Sequence, residues 1–327
     1  MPESHTLAAD AESTALLPRG ASHSLRSWFN RRGWRNVIIA TPYGWLLLFF
    51  LLPFLIVFAM SLATRAGTSP PFAFPDTWPY IDLGNAARLF EDPLYVRAYL
   101  TSMYNAAIAT ALCLLLGYPM ALGITRVRGA WRNILLLLVI LPFWTSFLLR
   151  VYAWIGLMGS NSWFNKSLVA FVNAVIPADM ALRSIPMMNT NFAVILVMVY
   201  SYLPFMILPL YANLERLDAT LNEAAMDLGS KPWQVFRDVT LPLSLPGIIA
   251  GGLLVFIPAS GEVIIPSLVG SASDPMIGRV INDEFASARD WPMASTVAVA
   301  LLFLLVVPMM LYQRYESRAQ AGGEVKP

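Results

Sequence analysis

The sequence predicts an all-α integral membrane protein with six transmembrane helices and both termini in the cytoplasm. Three observations carry that expectation. Of 327 residues, 57% are hydrophobic and only 13% charged, about half the charge of a soluble chain. Six mostly apolar stretches of about 20 residues, the length that crosses a bilayer, recur along it. The basic residues between those stretches fall two to one on alternate sides, as the positive-inside rule requires.

Residues 1–36 form a polar, basic tail holding Arg19, Arg26, Arg31, Arg32 and Arg35. Its low apolar content predicts a partly disordered or surface-lying segment, and the last three arginines place it in the cytoplasm. A membrane domain is expected over 37–313, with spans at 43–63, 99–124, 134–157, 192–214, 245–269 and 294–312, followed by a cytoplasmic tail at 314–327. Pro258, Glu262 and Pro266 interrupt the fifth span. Fourteen Lys and Arg residues fall on the expected inside and seven on the outside, with Arg150 inside a span. Ser61-Leu62-Ala63 looks like a small-x-small cleavage site. The apolar run is long and about 40 residues precede it, so the first span is expected to remain uncleaved.

The titratable inventory excludes several chemistries. His5 and His23 lie in the polar tail and Cys113 stands alone in an apolar run. These give no metal-ligand cluster, no disulfide within the chain and no Ser-His or Cys-His pair in the membrane region. Cys113 reads as a small buried apolar residue. A glycine-rich run ending in Gly-Lys-Ser/Thr does not occur, so the chain is expected to bind no ATP by a P-loop. Neither a cofactor, a metal nor a nucleic acid is expected on this chain.

The longest inside connection, 215–244, has the build of a handle. Asp218 is a good N-cap. Leu221, Ala224, Ala225 and Leu228 recur at helical spacing as one apolar face. Gly229 is placed to end that helix in a left-handed conformation. Ser230 can cap a second helix with Pro232 in its first turn, and Trp233, Phe236 and Val239 make its apolar side. Leu241-Pro242 and Leu245-Pro246 turn the chain back into the membrane. Two such helices can be offered to another protein, or can pack as a hairpin on their own bundle.

Glu223-Ala224-Ala225, Gly229, Val239 and Leu241-Pro242 have the spacing of the EAA loop. The chain therefore resembles the permease subunits of bacterial ABC importers, with Val239 a mild departure from the family's Ile. The run from Pro142 to Trp154, together with 204–209, 276–279 and 290–294, is similar to the polyamine branch of that family, closest to putrescine permeases. The resemblance covers most of 43–312. It implies the type I importer permease (MetI-like) fold and a location in the bacterial inner membrane. The partners it implies are a second homologous permease, two ATPase subunits that use ATP and magnesium, a periplasmic polyamine-binding protein, and membrane lipid. It assigns Glu223, Ala224, Ala225, Gly229, Leu241 and Pro242 to ATPase coupling, with Ala225 and Gly229 at the tightest contact. This chain itself would then catalyse no covalent step.

A polyamine crossing the bilayer core needs anions, acceptors and aromatic faces along its path. Glu262 lies about 15 residues beyond Gly247, roughly 22 Å along a helix. Either it faces the path and pairs with a substrate ammonium, or it is a structural partner of Arg150. Trp144, Tyr152, Trp154, Tyr200 and Tyr202 could hold an ammonium over a ring face, or belong to the interface and the packed bundle. Asp283 and Glu284 in the last outside loop are weaker candidates, for docking a binding protein or for solvation alone. Two other functions stay open: an importer of a small anion, amino acid or thiamine, and a carrier that needs no ATPase.

Overall fold

A computed structural model describes residues 34–75, 81–174 and 182–323. The basic tail with His5 and His23 lies outside the described residues, as do the last four residues of the C-terminal tail. The chain divides into two compact units, Met1–Val57 and Phe58–Pro327. In the first, α1 (Trp34–Leu46) passes through a π-helical turn at Leu47–Leu51 into α2 (Leu52–Ser61). The helical run Asn36–Ser61 is long enough to span, and its apolar side chains from Val37 to Ile56 are largely exposed, which suits a helix solvated by lipid. The helix begins nine residues before the expected 43, because Val37, Ile38 and Ile39 extend its apolar run.

The second unit begins within the last turn of α2, at Phe58, and continues into a short antiparallel pair, β1 (Thr64–Arg65) and β2 (Phe72–Ala73), with Thr64 opposite Ala73. Two-residue strands are too short to show an alternation in sequence, and the pair was not foreseen. After α3 (Gly84–Glu91) comes α4 (Pro93–Arg126). Asp92 starts α4, its Oδ1 accepting from the Leu94 N–H at 2.9 Å with Pro93 at the first helical position, where a missing N–H costs nothing.

The third expected span is two helices. α5 (Ala130–Ile140), extended by a 3₁₀ turn at Leu141–Trp144, meets α6 (Phe147–Met158) at 92°. Pro142 supplies no N–H, Thr145 is extended (ψ 150), and a new helix starts after Ser146, so one straight cylinder cannot form. α7 (Trp163–Asn173) follows. α8 (Asn191–Leu214) matches the fourth expected span, and the Thr190 hydroxyl caps it by accepting from the Ala193 N–H at 3.2 Å. The handle consists of α9 (Ala219–Asp227), α10 (Pro232–Val235), a π-helical turn (Phe236–Thr240) and α11 (Leu241–Leu243). α12 (Leu245–Ser260) and α13 (Ile264–Val269) make the broken fifth stretch, and α14 (Ile277–Asn282) and α15 (Trp291–Gly323) complete the chain. Pro258 lies inside α12 and the break falls at 261–263, a few residues later than the first proline.

Three described helices are long and apolar enough to cross a membrane alone, or five if each sharply bent pair counts as one span, and the apolar part of α15, Trp291–Val307, is shorter. The core is formed where α4, α8 and α12 pack on one another. α4 turns a stripe of small buried residues to it: Ala106, Ala109, Cys113, Gly117 and Ala121. Their spacing of three to four keeps them on one face, and small side chains let helix backbones approach closely where lipid removes the hydrophobic drive. Cys113 is wholly buried, its thiol donating to the Val199 carbonyl at 3.6 Å. A second cluster, including Leu89, Tyr95, Ile277 and Met293, joins α3, α4, α14 and α15.

α4 also measures the second unit. Its Tyr118 hydroxyl bonds Ser244 beside α11, and its Tyr95 hydroxyl bonds Glu284 before α15. About 23 residues separate those contacts, or ~35 Å at 1.5 Å rise, close to the thickness of a bilayer's hydrocarbon core. The handle and the turn before α15 therefore occupy opposite ends of the bundle.

Candidate functional site: a handle and a broken helix

The handle is built from local rules. The Asp218 Oδ1 accepts from the Thr220 N–H at 2.9 Å, and hydrogen bonds from Thr220 hold its carboxyl below the usual range. α9 ends as the sequence predicts. Gly229 has φ 88, its N–H donates to Met226 and the Ser230 N–H donates to Ala225 at 3.1 Å, the pattern of a Schellman cap. The second cap differs from expectation. Lys231, not Ser230, precedes the helix, and its N–H donates to the Gln234 Oε1 at 2.8 Å. Gln234 reaches back to the free N–H, so no hydroxyl is needed there.

The root of the handle is fixed and its tip is free. Val235 and Thr240 are buried. The Thr240 hydroxyl donates to the Asn222 Oδ1 at 3.2 Å, linking the two arms. Trp233 stacks on Phe236 at 5.4 Å, and Phe236 meets the Tyr118 ring edge-on at 5.6 Å. The Tyr118 hydroxyl then pairs with the Ser244 Oγ at 3.0 Å, and Ser244 donates to the Leu241 carbonyl. Arg132 bonds Glu215 at 2.8 Å, tying the first turn of α5 to the end of α8. By contrast Leu221 is 48% exposed, Leu228 88% and Trp233 68%. Glu223, Ala224, Gly229 and Pro242 are exposed, while Ala225 and Leu241 are half-buried. The apolar face of α9 is thus not consumed by its own bundle, and a surface of this kind marks an interaction site.

Glu262 sits in the break between α12 and α13. Its Oε1 accepts from the backbone N–H of Ile264 at 3.0 Å and of Ile265 at 3.4 Å, and its Oε2 accepts from the Tyr202 hydroxyl. The carboxylate therefore satisfies the freed N–H groups at the start of α13. Gly278 packs against the same break, where a Cβ would stand 2.5 Å from the carbonyls of Gly261 and Glu262. Glu262 remains half-buried and keeps acceptor capacity, since a carboxylate offers about four lone-pair sites. It makes no ion pair with Arg150. Arg150 lies over the Phe147 ring, 5.5 Å from its centroid, and its buried Nε and Nη1 have no hydrogen-bond partner.

The aromatic candidates do not converge on one point. Trp154 and Tyr200 meet edge-on at 5.5 Å. Tyr200 also lines an apolar cavity of 530 Å³ between α4, α5 and α8. Tyr202, two residues on, is buried against Glu262, because successive even positions on a helix diverge in direction. Trp144 is 76% exposed and Tyr152 55%. Among the described residues, no group of three or more His, Cys, Asp or Glu is gathered to hold a metal ion.

Two features escaped sequence reasoning. Tyr118 anchors the handle from α4, more than 120 residues from Ser244, and nothing local marks it. Asp290, 2% exposed, caps α15 and faces Arg65 and Arg88; its place directly before the Trp291-Pro292 start of the helix is a signal that could have found it.

An exposed, left-hand-capped handle on a small-residue helical bundle defines a class, a helical membrane protein that offers a docking surface at one end of its bundle. The family described as "binding-protein-dependent transport system inner membrane component" matches residues 113–320, and the chain belongs to that family, as a multi-pass protein of the bacterial inner membrane. The spermidine/putrescine transport system permease protein PotB of Haemophilus influenzae is 41% identical over 282 residues, covering 86% of this chain and 93% of that protein. Its Escherichia coli K12 namesake is 39% identical over 278 residues, covering 85% and 96%. Among solved structures, a chain of the crystal structure of a bacterial ABC transporter involved in import of the acidic polysaccharide alginate superposes with a TM-score of 0.63 at 17% identity, over 90% of this chain and 98% of that one. That likeness shows a shared fold.

Proposed function

We propose that this chain is one of two permease subunits of an ATP-driven ABC importer and forms half of a translocation path for polyamines. The exposed handle carries the coupling part of this reading: its apolar α9 face is open at the tip while its root is locked to α4 and α12. The cargo is supported by identity of 39 to 41% to permeases named for spermidine and putrescine over most of the chain. Putrescine is the favoured cargo and spermidine the alternative within the class.

In this reading the membrane domain spans 37–313 with six crossings and cytoplasmic ends, each bent or broken stretch completing one crossing. Two ATPase subunits bind inside, a second permease completes the pore, and a periplasmic polyamine-binding protein delivers cargo outside. Glu223, Ala224, Ala225, Gly229, Leu241 and Pro242 form the coupling surface. ATPase closure moves the handle and shifts the bundle between two populated states. Glu262, with Trp144, Tyr152, Trp154, Tyr200 and Tyr202, supplies the cation-friendly surface. Glu262 can accept an ammonium at its remaining acceptor site, and one carboxylate cannot neutralise a diamine, so a second acid comes from the partner permease. No cofactor is held by this chain.

The test is uptake of labelled putrescine and spermidine by a polyamine-transport-deficient strain carrying the whole transporter. Uptake that needs both ATP and an intact handle is expected. Uptake that persists without any ATPase subunit, or a transporter that carries neither amine, would overturn the reading.

A further inference from the structure

At the end of the second unit opposite the handle, the β1–β2 hairpin and the turn before α15 enclose a socket of 770 Å³. Arg65 and Arg289 stand in its wall, Thr68 and Ser69 lie on one rim, and Phe285 and Trp291 form its aromatic side. The two rings stack at 5.1 Å with an interplanar angle of 16°. No carboxylate lines it among the described residues.

The surrounding charges are already engaged, with one exception. Asp290 accepts from the Met293 N–H at 3.1 Å through Oδ1, and its Oδ2 lies 3.3 Å from Arg88 and 4.0 Å from Arg65. Arg65 also donates to the Ala288 carbonyl at 2.6 Å. Glu284 accepts from the Tyr95 hydroxyl at 2.7 Å, and Asp283 lies 3.7 Å from Arg279. Arg289 alone has neither hydrogen bond nor ion pair among the described residues. The socket wall is therefore net positive, with one guanidinium unspent.

Arg289 is also held at φ 51. Glycine takes that left-handed conformation freely and a residue with a Cβ does not. Strain of this sort persists where the rest of the structure over-determines it, and it clusters at functional positions. Here the backbone favours glycine and the sequence supplies arginine.

We propose that this socket receives a carboxylate-bearing loop of the binding protein on which the family depends, with Arg289 as the principal anchor and Arg65 beside it. Arginine and tryptophan are the side chains that anchor interfaces, and a positive wall selects an acidic partner segment. The socket adjoins the turn that Tyr95 meets through Glu284, and Tyr95 stands ~35 Å along α4 from Tyr118 at the handle, so the socket is on the face left for a binding protein when the handle takes the ATPase. The inference rests on the family and on that division of faces, and is independent of the cargo.

The test uses the complete transporter in phosphatidylcholine nanodiscs, titrated with the binding protein that sustains its uptake. Arg289→Gly keeps the left-handed backbone, so the variant is expected to fold and to co-purify with its ATPase. Binding should weaken about tenfold, with a flatter dependence on salt, and Arg289→Lys should recover part of the loss. Unchanged affinity and salt slope would overturn the proposal. So would a loss that appears only in nanodiscs containing anionic lipid, which would assign the anion to a headgroup. Failure of the underlying reading looks different, because the unmodified transporter would then bind no such protein.

Discussion

Single residues carry much of this molecule's behaviour. Gly229 holds φ 88 at an exposed tip, where a Cβ costs about 1–2 kcal/mol and a charge would enter the proposed coupling surface. Gly229→Asp should cut ATP-dependent uptake at least ~10-fold at equal expression, through loss of close approach; intact uptake would favour a carrier that needs no ATPase. Tyr202→Phe removes one donor to Glu262 and should lower stability by about 1–3 kcal/mol, read as a lower thermal midpoint in detergent. Glu262→Gln separates bracing from transport. If the carboxylate faces the path, uptake falls far more than the thermal midpoint does; if it only braces the break, the two fall together. Gly229 was legible because glycine after a capped amphipathic turn advertises a left-handed stop. The left-handed Arg289 was not, because arginine bears no mark of backbone shape.

Elements were legible by length and opaque by angle. The apolar runs that become α4 and α8 declared themselves, as did the two arms of the handle. The 92° bend at Pro142 to Ser146 did not, since a proline's missing N–H and its ring clash mark where a helix breaks and not the angle at which the next one starts. The broken fifth stretch was foreseen, but its site was displaced because Pro258 is accommodated inside α12. The partner of Glu262 was likewise not readable, because Tyr202 and Arg150 are equally available in a sequence and only packing chooses. At this scale the link from α4 to the handle is the one to break. Tyr118→Phe leaves the ring against Phe236 but deletes the bond to Ser244. ATPase subunits should still co-purify, while uptake per ATP hydrolysed should fall, about two- to tenfold for a lost buried hydrogen bond of ~0.5–1.5 kcal/mol. Unchanged coupling would make that bond merely structural.

For the whole molecule, the decisive arrangement is polarity along α4, with the handle at one end and the cationic socket at the other. Cys113 is the chain's one cysteine and is wholly buried, so introduced thiols report side without a competing background. A membrane-impermeant maleimide should label Trp233→Cys only in inverted vesicles and Ser69→Cys only in right-side-out cells. Labelling of both from one side would refute the six-crossing reading. The expected sidedness came from the two-to-one bias of basic residues, a sum over many loops that no single break or bend can disturb.

The handle's second arm and α12 are one continuous chain turned through 62°, with Pro232–Leu243 on one side of Ser244 and Leu245–Ser260 on the other. Twelve and sixteen helical residues give arms of about 18 Å and 24 Å. In the proposed coupling, this angle would act as a bell-crank with its pivot at the Tyr118–Ser244 bond. A push on the handle arm would then reach the far end of α12 as a sideways stroke about a third larger, beside the break that Glu262 bridges.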